Sequence, residues 1–383
     1  MSLVKKDEWW EETRNFKKTV KEEYLDINET LAELENNSSV IRLELNTIEL
    51  PLFSKDPKRI KNQIKIYHFK TDKSSYLEIE APANYSIPGE FEERVFIALT
   101  KIMKNNNYSR SFVVSANEIL ETLGLSNKAY YKRIREALTL LSKTNYTFLN
   151  SLYSNKESGI IEKKIMSNIM NITIISKKDS RAKEIEAFED GRIKEVYEIN
   201  FTDYFYENII RKGYLAFDSG KLLAIENSVS RAIYTIVEKW RGYDLYIKRQ
   251  AFFIARRIPL KWDKTQIKRT IDTMEKALIE LKNLNLIKDY KIIKEKKWEL
   301  AEIEITYEES HNKTKRDTFF TEKNEFNSMD MLVTSTEEKI KCISEDFHSG
   351  EISEILNMFP EKVLEMKTFE NFIKNSVEKH GFD

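Results

Sequence analysis

Basic side chains are concentrated in residues 127–145 (NKAYYKRIREALTLLSKTN), which hold five lysines and arginines against a single glutamate. With residues placed 100° apart, as in a helix, the apolar side chains share one side and most of the cations share the other. Cations bind DNA phosphates, and arginine or amide groups near a helix start hydrogen-bond to base edges in the major groove. The pattern predicts a DNA-recognition helix, with an ordinary solvated helix face as the alternative. The candidate contacts are Asn127, Lys128, Tyr131, Lys132, Arg133 and Arg135.

A second basic region repeats this division of apolar and charged faces. Residues 241–276 contain ten basic and four acidic side chains. Two arginines stand at the end of a predicted helix, where they are expected to contact phosphates; the alternative is that they only favour the helix C-terminus electrostatically. A basic turn follows further along the chain. The candidate contacts here are Arg256, Arg257, Lys264, Thr265, Lys268, Arg269, Lys276, Lys294, Lys296 and Lys297.

The motifs that would support catalysis are missing from the sequence. No glycines are spaced as in a dinucleotide-binding loop or a P-loop. The four histidines are scattered, and Cys342 is the only cysteine, so no metal site or disulfide is expected. Paired carboxylates are an open alternative, although no spacing singles out a pair. The sequence therefore predicts a binding protein with no cofactor, and not an enzyme.

The net charge of zero conceals a strong asymmetry along the 383 residues. Residues 1–50 carry a net −5 and residues 299–383 a net −10, which leaves +15 on residues 51–298. A basic body with acidic ends is typical of a protein that attracts a polyanion, although an unevenly charged surface is the alternative. No secretory signal or apolar stretch long enough to span a membrane is visible, so a cytoplasmic location is expected.

Hydrophobic periodicity places these residues on two similar sets of elements. The first set, residues 88–210, has predicted helices at 91–107, 115–125 and 127–145, followed by strands. Ser115 and Glu118 form a capping box for the second of these helices. The second set has helices at 226–240, 247–258 and 264–285, the last capped by Asp263, and then a hairpin at 286–309. Three helices followed by a hairpin predict a winged helix in each set.

The predicted fold class is α+β, with two tandem winged-helix domains and helical extensions at both ends. Two short strands, IKIYHF and YLEIEA, are expected before the first set of helices. Residues 310–330 read as a polar linker and 335–380 as acidic helices. The predicted domains are an acidic extension (1–45), a first winged-helix domain (46–222), a second one (223–309) and an acidic C-terminal segment (310–383).

Three stretches of the sequence resemble the plasmid replication initiators of the replication initiator protein A family. They are IELPLFSKDPKR followed by IYHF, PGEFEERVFIALTKIM leading into SANEILETLGLSNKAYYKRIREALTLL, and YLAFDSGKLLAIENSVSRAIYTIVEKW. The resemblance spans roughly residues 48–308. It implies a protein that binds repeated sites in origin DNA and recruits host helicase or primase without catalysing chemistry. It also implies a switch between an initiating monomer and a homodimer that represses its own gene.

Two functions remain open from the residues alone. The first is an origin-binding initiator, which would bind tandem repeats in double-stranded DNA. The second is a winged-helix transcriptional regulator or partition-type adaptor, which would bind an inverted repeat at a promoter. The acidic ends suit either function, as contacts for host proteins, as competitors of DNA for the basic surface, or as helices packed on the second domain.

Overall fold

The computed structural model describes residues 39–70, 72–179, 185, 188, 191–263, 265–294, 296–319 and 321–322. Helices and strands are mixed along the chain, which confirms the α+β class. The four elements before the first module are β1 (Val40–Glu44), α1 (Leu45–Glu49), β2 (Ile64–His68) and β3 (Tyr76–Glu80). The two predicted strands are therefore present as β2 and β3. Strand β1 falls within the predicted helical N-terminal extension, of which residues 1–38 lie outside the described residues.

The first module contains three helices and a hairpin, with additional strands between them. Its helices begin and end close to the predicted positions, and the third begins at Tyr130, so Asn127 and Lys128 lie in the preceding turn. In chain order the elements are α2 (Glu90–Asn105), β4 (Ser111–Val114), α3 (Ala116–Thr122), α4 (Tyr130–Lys143), β5 (Asn145–Leu149), β6 (Tyr153–Ser154), β7 (Gly159–Ile160), β8 (Lys164–Ser167), β9 (Met170–Ser176) and β10 (Glu195–Phe201).

The turn between α3 and α4 follows from local chemistry. The Ser115 hydroxyl accepts a hydrogen bond from the backbone N–H of Glu118, so Ser115 caps the start of α3 as predicted. Gly124 has φ of +69°, a left-handed conformation that suits glycine and ends the helix. These two signals fix where α3 begins and ends.

The strands of the first module belong to two sheets. Strands β4, β10 and β9 form a three-stranded sheet with β10 in the centre. Strand β5 instead joins β2, β3 and β8 in a four-stranded sheet, so it is not part of the hairpin. Strand β4 was not predicted. It pairs with β10, which lies about eighty residues later in the sequence, and no local sequence pattern predicts such a partner.

Three elements connect the first module to the second: α5 (Asp203–Ile210), β11 (Tyr214–Asp218) and α6 (Ser219–Ala224). Strand β11 pairs antiparallel with β1. The pairing ties the first described strand to the segment just before the second module.

The second module repeats the order of the first. It consists of α7 (Ser228–Arg241), β12 (Tyr246–Gln250), α8 (Ala251–Arg257), α9 (Ile267–Asn283), β13 (Asp289–Ile293), a 3-10 turn (Trp298–Leu300) and β14 (Glu302–Thr306). Its sheet has the order β12, β14, β13, so the last strand lies between the other two, as β10 does in the first module.

Two predicted boundaries in the second module were wrong. Residues 247–250 were predicted to be helical, but they belong to β12, where Ile247 is buried and pairs with Ile305. Asp263 was predicted to cap the third helix, which instead begins at Ile267 with Gln266 at the N-cap. The Asp263 carboxylate accepts hydrogen bonds from the backbone and hydroxyl of Thr265, so it closes the turn before the helix.

The prediction of a polar linker from residue 310 onwards was also wrong over its first part, because residues 309–319 are helical. The buried Asn312 side chain accepts from the Arg241 guanidinium (2.7 Å) and donates to the Tyr243 carbonyl (2.7 Å). The Lys315 ammonium donates to the carbonyls of Glu238 and Gly242, each at 2.6 Å. The polar residues of the helical segment 309–319 therefore bind the carboxyl end of α7. The predicted acidic helices at 335–380 lie outside the described residues.

Candidate nucleic-acid interface

The third helix of the first module, α4, is held by its apolar face. Ile134, Ala137, Leu138 and Leu141 are buried and pack toward α2 and α3. The opposite face presents Lys132 and Arg135 to solvent, as the helical periodicity predicted. The helix is thereby fixed in orientation while its basic side stays accessible.

A concave surface runs beside this basic face, and we call it the first groove. It encloses about 650 Å³ between the start of α3, the exposed side of α4 and the segment that leads into β10. Its only lining carboxylate among the described residues is Glu195. The lining side chains are Ser115, Ala116, Asn117, Lys128, Tyr131, Lys132, Arg135, Arg192, Ile193, Lys194, Glu195 and Tyr197.

Hydrogen bonds position the polar groups of the first groove. The Tyr131 hydroxyl donates to the Asn117 side-chain oxygen (2.8 Å), and the Asn117 amide donates to Glu121 (2.7 Å). Arg135 lies 3.4 Å from Glu195, and its side chain is 53% exposed. Exposed ion pairs of this kind contribute about 0–1 kcal/mol, so a phosphate or base can replace the carboxylate at little cost.

Two predicted contacts on α4 or in the turn before it have structural partners. The Asn127 side chain accepts a hydrogen bond from the Ala129 backbone (2.9 Å), which shapes the turn before the helix. The Arg133 guanidinium lies 4.1 Å from the centre of the Phe91 ring, a cation–π contact outside the first groove. Lys128, Tyr131, Lys132 and Arg135 are the predicted contacts that the structure brings together in the groove.

The third helix of the second module, α9, shows the same arrangement. Ile267, Ile271, Met274 and Leu278 are buried, while Lys268, Arg269 and Lys276 are exposed. Lys268 lies 3.6 Å from Asp272, one turn along the helix. Among the described residues, the Arg269 guanidinium has no ion-pair or hydrogen-bond partner, so it is available to a ligand. Lys264 lies outside the described residues, and Thr265 is bound to Asp263 as noted above.

The basic turn of the second module connects β13 and β14. Lys296 and Lys297 are exposed, and the Lys294 ammonium lies 4.8 Å from the centre of the Trp298 ring. The antiparallel pairing of the two strands confirms the predicted hairpin. The tip of this hairpin therefore carries three lysines, and the ammonium of Lys294 packs against the Trp298 ring.

The two arginines at the end of α8 have partners within the chain. Arg256 donates to the His68 carbonyl (2.6 Å), and Arg257 lies 3.2 Å from the Glu49 carboxylate. Both arginines therefore connect the second module to elements that precede the first. Their contact with DNA phosphate remains a prediction.

Sequence reasoning missed three residues of the first groove. Arg192 and Lys194 precede β10, and Asn117 orients Tyr131. The signal was present in the segment GRIKE, residues 191–195, which places cations just before a strand of a hairpin. The corresponding turn of the second module was recognised because its lysines are almost contiguous.

Two negative findings concern the described part of the chain. No group of three or more His, Cys, Asp and Glu side chains is placed there to hold a metal ion. None of its helices is both long and apolar enough to cross a membrane.

The sequence model of replication initiator protein A matches residues 42–247, more than half of the chain. The chain belongs to this family. The match includes the second half of β1, the whole first module and the start of the second. The protein therefore has a role in the initiation of replication. Among curated proteins the sequence has no significant match.

Solved structures similar to this replication initiator A protein include two of RctB. A crystal structure of RctB domains 2–3 has 13% sequence identity and a TM-score of 0.45. A selenomethionine derivative of domains 2 and 3 has 13% identity and a TM-score of 0.48. Each comparison covers 69% of this chain and 98% of the RctB chain.

Proposed function

We propose that this initiator binds double-stranded DNA through two winged-helix domains. The supporting observation is the repeated topology: each module runs helix, strand, helix, helix, hairpin, and in each sheet the last strand lies between the other two. A winged helix has this order, with its third helix entering the major groove. In both modules that third helix, α4 or α9, is the one with the exposed basic face.

The proposed DNA contacts are of two chemical kinds, arginines that bind base edges and lysines that bind phosphates. Arg135 and Arg269 are the forked donors that read base edges, since both are exposed on third helices. Lysines at the hairpin ends, Lys194 in the first module and Lys296 with Lys297 in the second, bind phosphates beside the groove. Base contacts provide specificity, and phosphate contacts provide affinity that depends on salt.

The duplex in this proposal is a set of tandem repeats in the replication origin of a plasmid. The protein marks or opens the origin in the cytoplasm, recruits host helicase or primase, and catalyses no reaction itself. As a homodimer it represses its own gene. The family membership supports initiation over the transcriptional-regulator alternative, because the matched model is that of an initiator.

A titration of DNA binding against salt tests this function. The full chain is mixed with duplex DNA from upstream of its gene, and with a shuffled duplex, while anisotropy is measured at several salt concentrations. We expect tight binding at low salt, preference for the upstream duplex, and a linear fall of log affinity with log salt. Absence of binding at low salt, or equal affinity for both duplexes, contradicts sequence-specific DNA binding.

A further inference from the structure

A second concave surface lies away from the first groove, between β2 and α8, and we call it the aromatic groove. It encloses about 880 Å³. Five of its lining side chains are cations and five are Tyr, Phe or Trp. The lining residues are Lys65, Ile66, Tyr67, His68, Phe69, Trp240, Arg249, Phe252, Phe253, Ala255, Arg256, Arg257, Pro259, Leu260 and Lys261.

One ring of this groove, that of Phe253, is open to a ligand. Helix α8 buries Ala251, Ile254 and Ala255, which leaves Phe253 facing outward with 54% of its surface exposed. The Phe252 and Phe253 rings have centroids 5.7 Å apart. Full burial of a phenylalanine side chain contributes a free energy of about 1.5–3 kcal/mol, which an exposed ring does not gain. The groove therefore offers aromatic surface that a planar ligand can cover.

The charge of the groove favours an anion. Among the described residues no carboxylate lines it, although Glu49 lies 3.2 Å from Arg257 and Asp56 lies 3.9 Å from Lys261. Arg249 and Arg256 donate instead to backbone carbonyls, those of Lys248 and His68. A backbone carbonyl does not neutralise a guanidinium, so both arginines keep their full charge for a ligand.

We propose that the aromatic groove binds single-stranded DNA. Exposed rings stack on unpaired bases, and cations beside them follow the phosphate backbone, whereas a duplex keeps its base faces stacked and out of reach. This goes beyond duplex recognition, and it rests on the proposed function only for the source of the strand, which is the opened origin. Phe253 is the stacking platform, and Arg249 and Arg256 contact phosphates.

Anisotropy with a fluorescent oligothymidylate of about twelve nucleotides tests the proposal on the full chain at low salt. We expect the single strand to bind, and Phe253→Ala to weaken that binding about 5- to 100-fold. Phe253→Trp should retain affinity because it keeps a stacking face. Phe319→Ala is the matched control, since Phe319 is also exposed (46%) and does not line the aromatic groove. Melting temperatures of all variants should remain close to that of the parent.

The same proteins separate this proposal from duplex binding. Arg135→Ala is expected to weaken duplex binding and leave oligothymidylate binding unchanged. Photocrosslinking with 5-iododeoxyuridine, mapped by mass spectrometry, should mark peptides that contain Tyr67, Trp240 or Phe253. The proposal is overturned if the single strand does not bind, if Phe253→Ala binds it as the parent does, or if crosslinks fall only elsewhere. It is also overturned if an acidic amphipathic peptide occupies the groove and oligothymidylate does not displace it.

Discussion

The two modules share one topology but differ in what is inserted into it. In the second, five residues link α9 to β13, and the hairpin turn spans residues 294–301. In the first, strands β5 to β8 intervene between α4 and β9, and two of them, β5 and β8, join the sheet of β2 and β3. The segment between β9 and β10 is also longer, and its end lines the first groove.

The shared elements and the inserted strands therefore have different structural roles. The shared helices and hairpin hold a basic helix with its charged face outward, and that task needs only the repeated order of elements. The inserted strands decide what else a module touches. They give the first module a second sheet, whose edge strand β2 forms one wall of the aromatic groove against the second module.

A buried ion-pair cluster connects the modules. Glu93 on α2 lies 2.6 Å from Lys55 and 2.9 Å from Arg231 on α7, whose side chain is 1% exposed. Burial alone would raise the pKa of Glu93, but the charges of Lys55 and Arg231 outweigh it and hold that pKa below its usual range. The cluster therefore joins α2 of the first module to α7 of the second.

The largest expected effect comes from breaking that cluster. Glu93→Gln leaves two buried cations without their carboxylate, so we expect a loss of about 3–5 kcal/mol in the free energy of unfolding. Urea denaturation followed by circular dichroism measures it. Glu136→Gln is the matched control, because Glu136 is 56% exposed beside Lys132 and should change stability by less than about 0.5 kcal/mol. Equal stability of the two variants would show that the modules are not held by the cluster.

The next-largest effect is expected on the pH dependence of stability, and it comes from the Glu44 carboxyl at the end of β1. Glu44 is buried and accepts hydrogen bonds from Asn208 (2.6 Å) and Asn46 (2.7 Å). Burial raises its pKa from 4.5 to about 7, although these hydrogen bonds act in the opposite direction. Below pH 4.5 the carboxyl is protonated in both the folded and the unfolded state; between 4.5 and 7 only the folded state keeps the proton. The contribution of Glu44 is therefore fully present at low pH and is lost as pH rises.

Stability measured from pH 4.5 to 7.5 checks this expectation. The parent should lose about 3 kcal/mol relative to Glu44→Gln over that range, since each pKa unit corresponds to about 1.4 kcal/mol. The difference between the two curves isolates this carboxyl from all others that titrate. Parallel curves would mean that Glu44 is ionised in the folded protein.

Measurements of DNA affinity compare α4 and α9 directly. We expect Arg135→Ala and Arg269→Ala each to weaken specific binding by about 1–3 kcal/mol and to leave melting unchanged. Arg133→Ala is the control on the same helix as Arg135, because its guanidinium lies on Phe91 and should not contribute to affinity. If only one arginine matters, a single module reads the sequence. If Arg133 matters equally, the basic face of α4 has no preferred contact.

The smallest effect is expected at the hairpin of the second module. Replacing Lys296 and Lys297 by alanine should lower affinity about equally for all duplexes and reduce the slope of log affinity against log salt by about 2. The same measurement on Lys194→Ala, in the first module, should reduce the slope by about 1. An altered preference between duplexes would assign these lysines to base readout instead.

The sequence predicted most of the helices and the two hairpins. Helices α2, α4, α7 and α9 have apolar residues at helical spacing, and their backbone hydrogen bonds close within the helix itself. The local sequence is therefore sufficient to define them. The basic faces followed by the same periodicity, because the side opposite a buried stripe must meet solvent. For this reason Lys132, Arg135, Lys268 and Arg269 are exposed as predicted.

Only the tertiary structure decided the remaining features. Strands β4 and β12 are short, and each pairs with a strand more than fifty residues away, so their hydrogen bonds are not encoded nearby. The sequence predicted Arg256 and Arg257 as phosphate ligands, but only the structure placed His68 and Glu49 beside them. The aromatic groove joins residues from β2 and α8, which are about 190 residues apart. Periodicity reports which side of an element is buried, and contact between distant elements depends on how the whole chain packs.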